Sequence, residues 1–116
     1  MRRYLIVMYF LLLFCVLLQA VLLSNEIGKK EKAIQALRSK DYSTAIKICL
    51  SQLKTDPENY YYNFILSQSY AFSRQWDQAL DIIDRMLNLH PLNTDLLLFK
   101  SRILSWKGDY EEAEYG

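Results

Sequence analysis

The sequence predicts an all-α protein made of antiparallel helical hairpins, about two and a half of them, preceded by one hydrophobic amino-terminal helix. Three observations predict this fold class. Aromatic-centred segments recur at one constant interval, around Tyr42, Trp76 and Tyr110. Pro57 and Pro91 repeat at the same interval, and the chain opens with an apolar block over residues 5–23. A fixed period of about 34 residues is typical of solenoids, whose hairpins bury their apolar faces against their neighbours.

The apolar block follows two arginines and contains Gln19 as its only clearly polar residue. As a helix it would span about 28 Å, close to the hydrocarbon thickness of a bilayer. A basic start before an apolar core is typical of a secretory signal or a signal anchor. Cleavage requires two small residues separated by one position, and leucine occupies one of these positions in the best candidate pair, Leu18 and Ala20. We therefore favour a retained membrane anchor, with a cleaved signal as the alternative.

The block divides the chain into a signal or anchor over residues 1–24 and a helical repeat domain over residues 25–116. The arginines at positions 2 and 3 favour a cytoplasmic amino terminus, although four basic residues between positions 29 and 38 oppose it. We expect the amino terminus on the cytoplasmic side, because this is the usual orientation of an export signal. The protein would then be membrane-associated or exported, with its repeats on the periplasmic or lumenal side.

Charge and cysteine content exclude other classes of protein. All 13 acidic residues and 12 of the 14 basic residues follow Leu23, so the soluble part has a formal net charge of −1. A nucleic-acid partner would require a basic stripe, which is absent, and we expect no nucleic-acid binding. Cys15 and Cys49 are distant from each other, and they indicate no disulfide framework.

Apolar periodicity and stop signals predict the helices of the repeat domain. Pro57 and His90-Pro91 end two of them, Thr94 is a candidate N-cap, and Lys107-Gly108 is a further stop signal. The helices are expected over Glu26–Arg38, from Tyr42 to the Thr55-Asp56-Pro57 stop, over Asn59–Ser73, Trp76–Leu89 and Asp95–Trp106, and from Tyr110 onward. The third hairpin would be truncated after Ala113, which suggests a fragment of a longer chain or a partner that covers the last helix.

The middle unit carries Leu66, Tyr70, Trp76, Ala79 and Pro91. With its constant repeat interval, this pattern resembles the tetratricopeptide repeat (TPR) family over Glu26–Gly116. The first and third units match the family at Ala33, Tyr42, Ala45 and Pro57, and at Gly108, Asp109, Tyr110 and Ala113. They depart from it at Lys29, Ala36 and Ser101.

The resemblance implies a scaffold that binds a protein or peptide in a concave groove lined by the first helix of each hairpin. The corresponding groove positions are Tyr61, Phe64, Gln68 and Phe72 in the second unit, and Leu98, Arg102 and Trp106 in the third. Aromatic side chains with one arginine suit peptide recognition. In the alternative reading, Phe64, Phe72 and Leu98 belong to the core between repeats and Arg102 is solvated.

Catalytic residues are not evident in the sequence. His90 is the only histidine and lies in a turn, while Asp81 and Asp84 have no histidine or cysteine nearby with which to bind a metal. The sequence contains three glycines and no glycine-rich phosphate loop. We expect no enzyme activity, no cofactor and no metal.

Two alternatives involve sequence beyond Gly116. Residues 97–113 are similar to the repeat segment that precedes the barrel in some exported bacterial outer-membrane β-barrel proteins. The chain could accordingly be a structural extension of such a longer protein, or an accessory segment of an enzyme whose catalytic part lies further on. Partner identity and oligomeric state stay open at this point.

Overall fold

The computed structural model describes residues 2–115, the last two by their backbone alone, and these residues form five helices and no strand. The helices are α1 (Arg2–Arg38), α2 (Tyr42–Leu53), α3 (Tyr60–Phe72), α4 (Trp76–Leu89) and α5 (Thr94–Tyr115). The predicted all-α class, with a long apolar helix followed by packed helices, is confirmed.

The chain divides into two compact units between Glu31 and Lys32. In the first unit, the large hydrophobic side chains from Tyr4 to Leu23 are between 43 and 79 % exposed. Residues 2–115 contain one helix, α1, that is long and apolar enough to cross a membrane or to serve as a signal sequence. Its apolar segment is not buried in a core, in agreement with the absence of a polar face in the sequence.

The second unit is held together by one apolar core to which every helix contributes. Ala33 of α1, Cys49 of α2, Leu66 of α3, Ile83 of α4 and Ile103 of α5 are all at most 3 % exposed. Helix α3 packs against α2 and α4, and α4 packs against α5. Ala45 and Ala79, the alanines of the repeating frame, are fully buried, as expected for residues that allow close helix contact.

Short connections with defined caps separate the helices. The side chains of Asp41 and Asn59 accept hydrogen bonds from the backbone N–H groups of Thr44 (3.3 Å) and Tyr62 (3.1 Å), respectively. At α5 the N-cap is Asn93, whose Oδ1 accepts from Leu96 N–H at 3.1 Å. The predicted cap, Thr94, is instead the first residue of the helix.

Two predicted helix boundaries are wrong. Helix α1 does not begin at Glu26 but continues from the apolar segment. No proline lies between the two parts to interrupt the helix. Helix α5 does not stop at Lys107-Gly108 but runs through both residues to Tyr115. A glycine allows a helix to end without requiring it, and a continuous helix keeps the hydrogen bonds that a stop would break.

Candidate binding groove

Six of the seven predicted groove residues line one hollow between α3 and α5. Each helix contributes three of them at a spacing of four residues, which places them on one helix face. The hollow has a volume of about 400 Å³. It is lined by Phe64, Gln68 and Phe72 of α3 and by Asp95, Leu98, Phe99, Arg102 and Trp106 of α5.

Tyr61, the seventh predicted residue, lies in an adjoining hollow of about 280 Å³. Phe64 and Gln68 line both hollows, so the two are continuous along α3. The other wall of the second hollow comes from the last turns of α1, through Ile34 and Leu37. The resulting groove, defined by the residues of these two hollows, crosses α1, α3 and α5.

The floor of the α3–α5 hollow is an aromatic cluster centred on Phe99. Its ring centroid lies 5.6 Å from that of Phe64, 6.3 Å from Phe72 and 6.2 Å from Trp106. Phe99 is 6 % exposed, so it belongs to the core as well as to the groove. Aromatic pairs at these separations contribute more than their buried area alone would give. The cluster therefore packs three aromatic side chains of the hollow, Phe64, Phe72 and Trp106, against the core.

Leu98 and Phe72 differ in how far they belong to the core. Leu98 is 55 % exposed, which is inconsistent with the alternative that it is a core residue between repeats. Phe72 is 41 % exposed, yet it contacts Tyr42, Phe99 and Trp106. Part of its surface thus packs, and the rest faces the groove. Phe64 is half-buried and stacks on Tyr60, with ring centroids 6.0 Å apart.

Charged groups of both signs face the hollow. Arg102 and Asp95, about two turns apart on α5, are both exposed and both line it. Among the described side chains, the ion pairs of α5 are instead Lys100 with Asp84 and Lys107 with Asp77, which tie α5 to α4. Arg102 is in neither pair, so its guanidinium is available to a carboxylate of a bound molecule.

Two residues that line the hollow, Phe99 and Asp95, are not among the predicted groove residues. Asp95 stands three positions before Leu98 and seven before Arg102, so helical spacing alone could have placed it on the same face. Phe99 occupies the same position in its repeat as Ile65, a core residue of α3. This equivalence could have predicted that Phe99 is buried beside the groove.

The three consecutive tyrosines have three environments. Tyr62 is buried, Tyr61 is half-buried in the groove, and Tyr60 is exposed beside His90, with ring centroids 5.6 Å apart. Tyr60 and His90 line a further hollow of about 320 Å³ between the start of α3 and the end of α4, and Tyr60 also lines the hollow that contains Tyr61. The described side chains, those of residues 2–113, include no group of three His, Cys, Asp or Glu that could hold a metal ion.

The fold defines a class: an all-helical protein with a long apolar amino-terminal helix followed by packed helices, which enclose an aromatic-lined hollow between α3 and α5. Comparison with known proteins finds no matching family model and no matching curated protein.

Proposed function

We propose that the chain is a TPR-type scaffold, membrane-tethered or exported, that binds a peptide segment of a partner protein in the groove across α1, α3 and α5. The single observation that carries this proposal is the α3–α5 hollow. It combines aromatic side chains, the exposed Leu98 and an accessible arginine on one concave face.

Membership of the TPR family is supported by repetition of structural detail at the repeat interval. Tyr42 contacts Phe72, and Trp76 contacts Trp106, with ring centroids 6.2 and 6.4 Å apart. Tyr42 and Trp76 thus pack on two aromatic residues, Phe72 and Trp106, that occupy the same position in successive repeats. This repeated contact makes neighbouring hairpins mutually dependent, as in a solenoid.

The chemistry of the groove suggests what kind of segment it binds. Leu98 and Phe72 offer apolar surface whose burial stabilises a complex by about 25 cal/mol per Å². Arg102 suits a carboxylate of the ligand, and Asp95 suits a basic group about two turns further along. We therefore expect a segment with apolar or aromatic anchors, a carboxylate near Arg102 and a cationic side chain near Asp95.

The apolar part of α1 is proposed to hold the scaffold at a membrane. Its exposed apolar surface is far larger than a soluble monomer tolerates. Fractionation of cells that express the full chain, followed by carbonate extraction, distinguishes an integral anchor from a peripheral or secreted form. Mass spectrometry of the mature amino terminus distinguishes a retained anchor from a cleaved signal.

A selection experiment tests the binding function directly. A phage-displayed library of random peptides about 12 residues long is selected on the full chain in detergent micelles. Enriched peptides are then measured against Leu98→Asp and against Leu92→Asp, which changes another exposed leucine, in the α4–α5 connection. Binding lost in the Leu98 variant alone supports the groove. Equal binding to both variants, or no enrichment, contradicts it.

A further inference from the structure

The two hairpin corners of the chain have the same backbone geometry at equivalent positions of the repeating frame. Lys40 and Arg74 have φ values of 64° and 65°, the only positive values among the described non-glycine residues. The N–H groups of the next residues, Asp41 and Gln75, each donate to a carbonyl five residues earlier at 2.8 Å. The N–H groups of Lys40 and Arg74 each donate a hydrogen bond to the carbonyl three residues earlier, at 3.1 Å. This pair of bonds is the Schellman motif that ends many helices.

Gly108 stands at the next equivalent position after Lys40 and Arg74, where a third corner would fall. Asp109 follows it as Asp41 follows Lys40, and Ala113 stands in the frame of the two buried alanines. A positive φ is strained for Lys40 and Arg74, which carry a Cβ atom, but not for the glycine at position 108. Yet α5 passes through Gly108 as a regular helix.

Packing does not explain a glycine at position 108 of the straight helix. A Cβ atom built there would meet no atom within 4 Å, so alanine would fit. Glycine in a helix interior lowers the helical equilibrium constant about five-fold relative to alanine. The straight form of α5 therefore carries a cost at Gly108 without a compensating contact.

We propose that Gly108 is a latent hairpin corner, and that α5 has a second conformation bent at this residue. In the bent form the helix ends before Gly108, Gly108 adopts positive φ, and Asp109 caps a short helix that turns back along α5. The proposal is independent of the peptide-binding function, because it concerns the segment after the groove.

The surface that the returning segment would cover is present on α5. Leu97, Ser101 and Leu104 are exposed and lie on one face at spacings of four and three residues. In α3, which has a neighbour on both sides, the residue equivalent to Ser101 in the repeating frame is Ser67, and it is fully buried. Ala113, exposed in the straight helix, would become buried as Ala45 and Ala79 are.

One contact is specific to the straight form. The Arg74 guanidinium lies 5.6 Å from the centre of the ring of Tyr110, which follows Gly108 in the chain. The ion pair of Lys107 with Asp77 precedes Gly108 and is compatible with both forms. Removing the contact between Arg74 and Tyr110 should favour the bent form, whereas a methyl group on residue 108 should favour the straight one.

The test is NMR spectroscopy of the isotopically labelled full chain in detergent micelles. The φ angle of residue 108 is followed by its Cα chemical shift and H–N–Cα–H couplings, and folding back by a nuclear Overhauser effect between Ala113 and Leu104. We expect Arg74→Ala to increase the bent population severalfold, because it removes the contact with the Tyr110 ring, and to show that Overhauser effect. Gly108→Ala should reduce the bent population about tenfold or more.

Gly28→Ala is the matched control, because Gly28 lies inside α1 with equal room for a methyl group. It should leave the shifts of residues 105–113 unchanged. The proposal is overturned if Arg74→Ala keeps wild-type shifts at residue 108 and lacks the Overhauser effect. It is also overturned if Gly108→Ala changes only its immediate neighbours, as Gly28→Ala does.

Discussion

The ring of Phe72 at the end of α3 lies 5.8 Å from that of Trp106 on α5, centroid to centroid. This contact joins the first helices of two successive hairpin units and forms one end of the α3–α5 hollow. The same two side chains thus hold the array together and line the groove, so structure and proposed binding depend on one aromatic cluster.

The caps of α2 and α4 predict opposite effects of substitution. Asp41→Ala removes the side-chain cap of α2 and should lower the free energy of unfolding by about 1 kcal/mol. Gln75 has nearly the backbone angles of Asp41 but makes no side-chain cap bond. Gln75→Asp should therefore raise the free energy of unfolding, by about 0.5 kcal/mol or more. Urea unfolding followed by circular dichroism measures both, and a destabilising Gln75→Asp would contradict this reading of the corner.

The positive φ angles at Lys40 and Arg74 predict that glycine stabilises both corners. Each φ lies in the left-handed region, which costs a residue with a Cβ about 1 kcal/mol. Lys40→Gly should raise the thermal midpoint by a few degrees. Ser101→Gly, a change inside the exposed face of α5, should lower it by a comparable amount. If Lys40→Gly lowered the thermal midpoint as much as Ser101→Gly does, the corner at Lys40 would carry no strain.

Cys49 predicts a dependence of stability on alkaline pH. Burial raises the pKa of its thiol from 9.0 to about 12, so the folded protein keeps a proton that the unfolded chain loses above about pH 9. The free energy of unfolding should consequently fall between about pH 9 and pH 12, by about 1.4 kcal/mol per pH unit for this group. Other groups titrate in the same range, so the test compares this slope with that of Cys49→Ala. Identical slopes would contradict the prediction.

Cys49 should also resist alkylation in the folded protein, since the thiolate is the reactive species. Iodoacetamide near neutral pH should leave Cys49 unmodified in detergent micelles and modify it in concentrated urea. Peptide mass spectrometry separates this site from Cys15, which lies in the exposed apolar part of α1. Rapid modification of Cys49 without denaturant would show that the core around α2 opens readily.

The sequence repeat predicted most of the fold, because it depends on interactions within each hairpin and between neighbouring hairpins. Ala45 and Ala79 allow close contact between helices at the repeat interval. Pro57 and Pro91 cannot lie inside a helix without breaking it, so they predict where helices end. The groove residues on α3 and α5 were instead implied by the resemblance to the tetratricopeptide repeat family.

The misplaced boundaries lie where several conformations are compatible with the sequence. Gly108 accepts both a helical and a left-handed backbone, and which one forms depends on contacts such as Arg74 with Tyr110 that residue identity does not reveal. Likewise, both Asn93 and Thr94 are good capping residues, and only the geometry of the turn after His90 decides between them. The exposure of Leu98 depends on tertiary packing and could not be read from its apolar character.

Peptide capture by the Phe72→Ala, Trp106→Ala double variant tests the central claim most directly. The probe is the peptide most enriched on the wild-type chain from the displayed library, and affinity is measured by fluorescence anisotropy on the full chain in micelles. Circular dichroism establishes whether helicity is retained, and Leu50→Ala, Leu92→Ala serves as a control that shortens two exposed side chains outside the groove. The account predicts that the aromatic double variant keeps most of its helicity and loses binding, while the control binds as the wild type does. Unchanged capture by the aromatic double variant would contradict it.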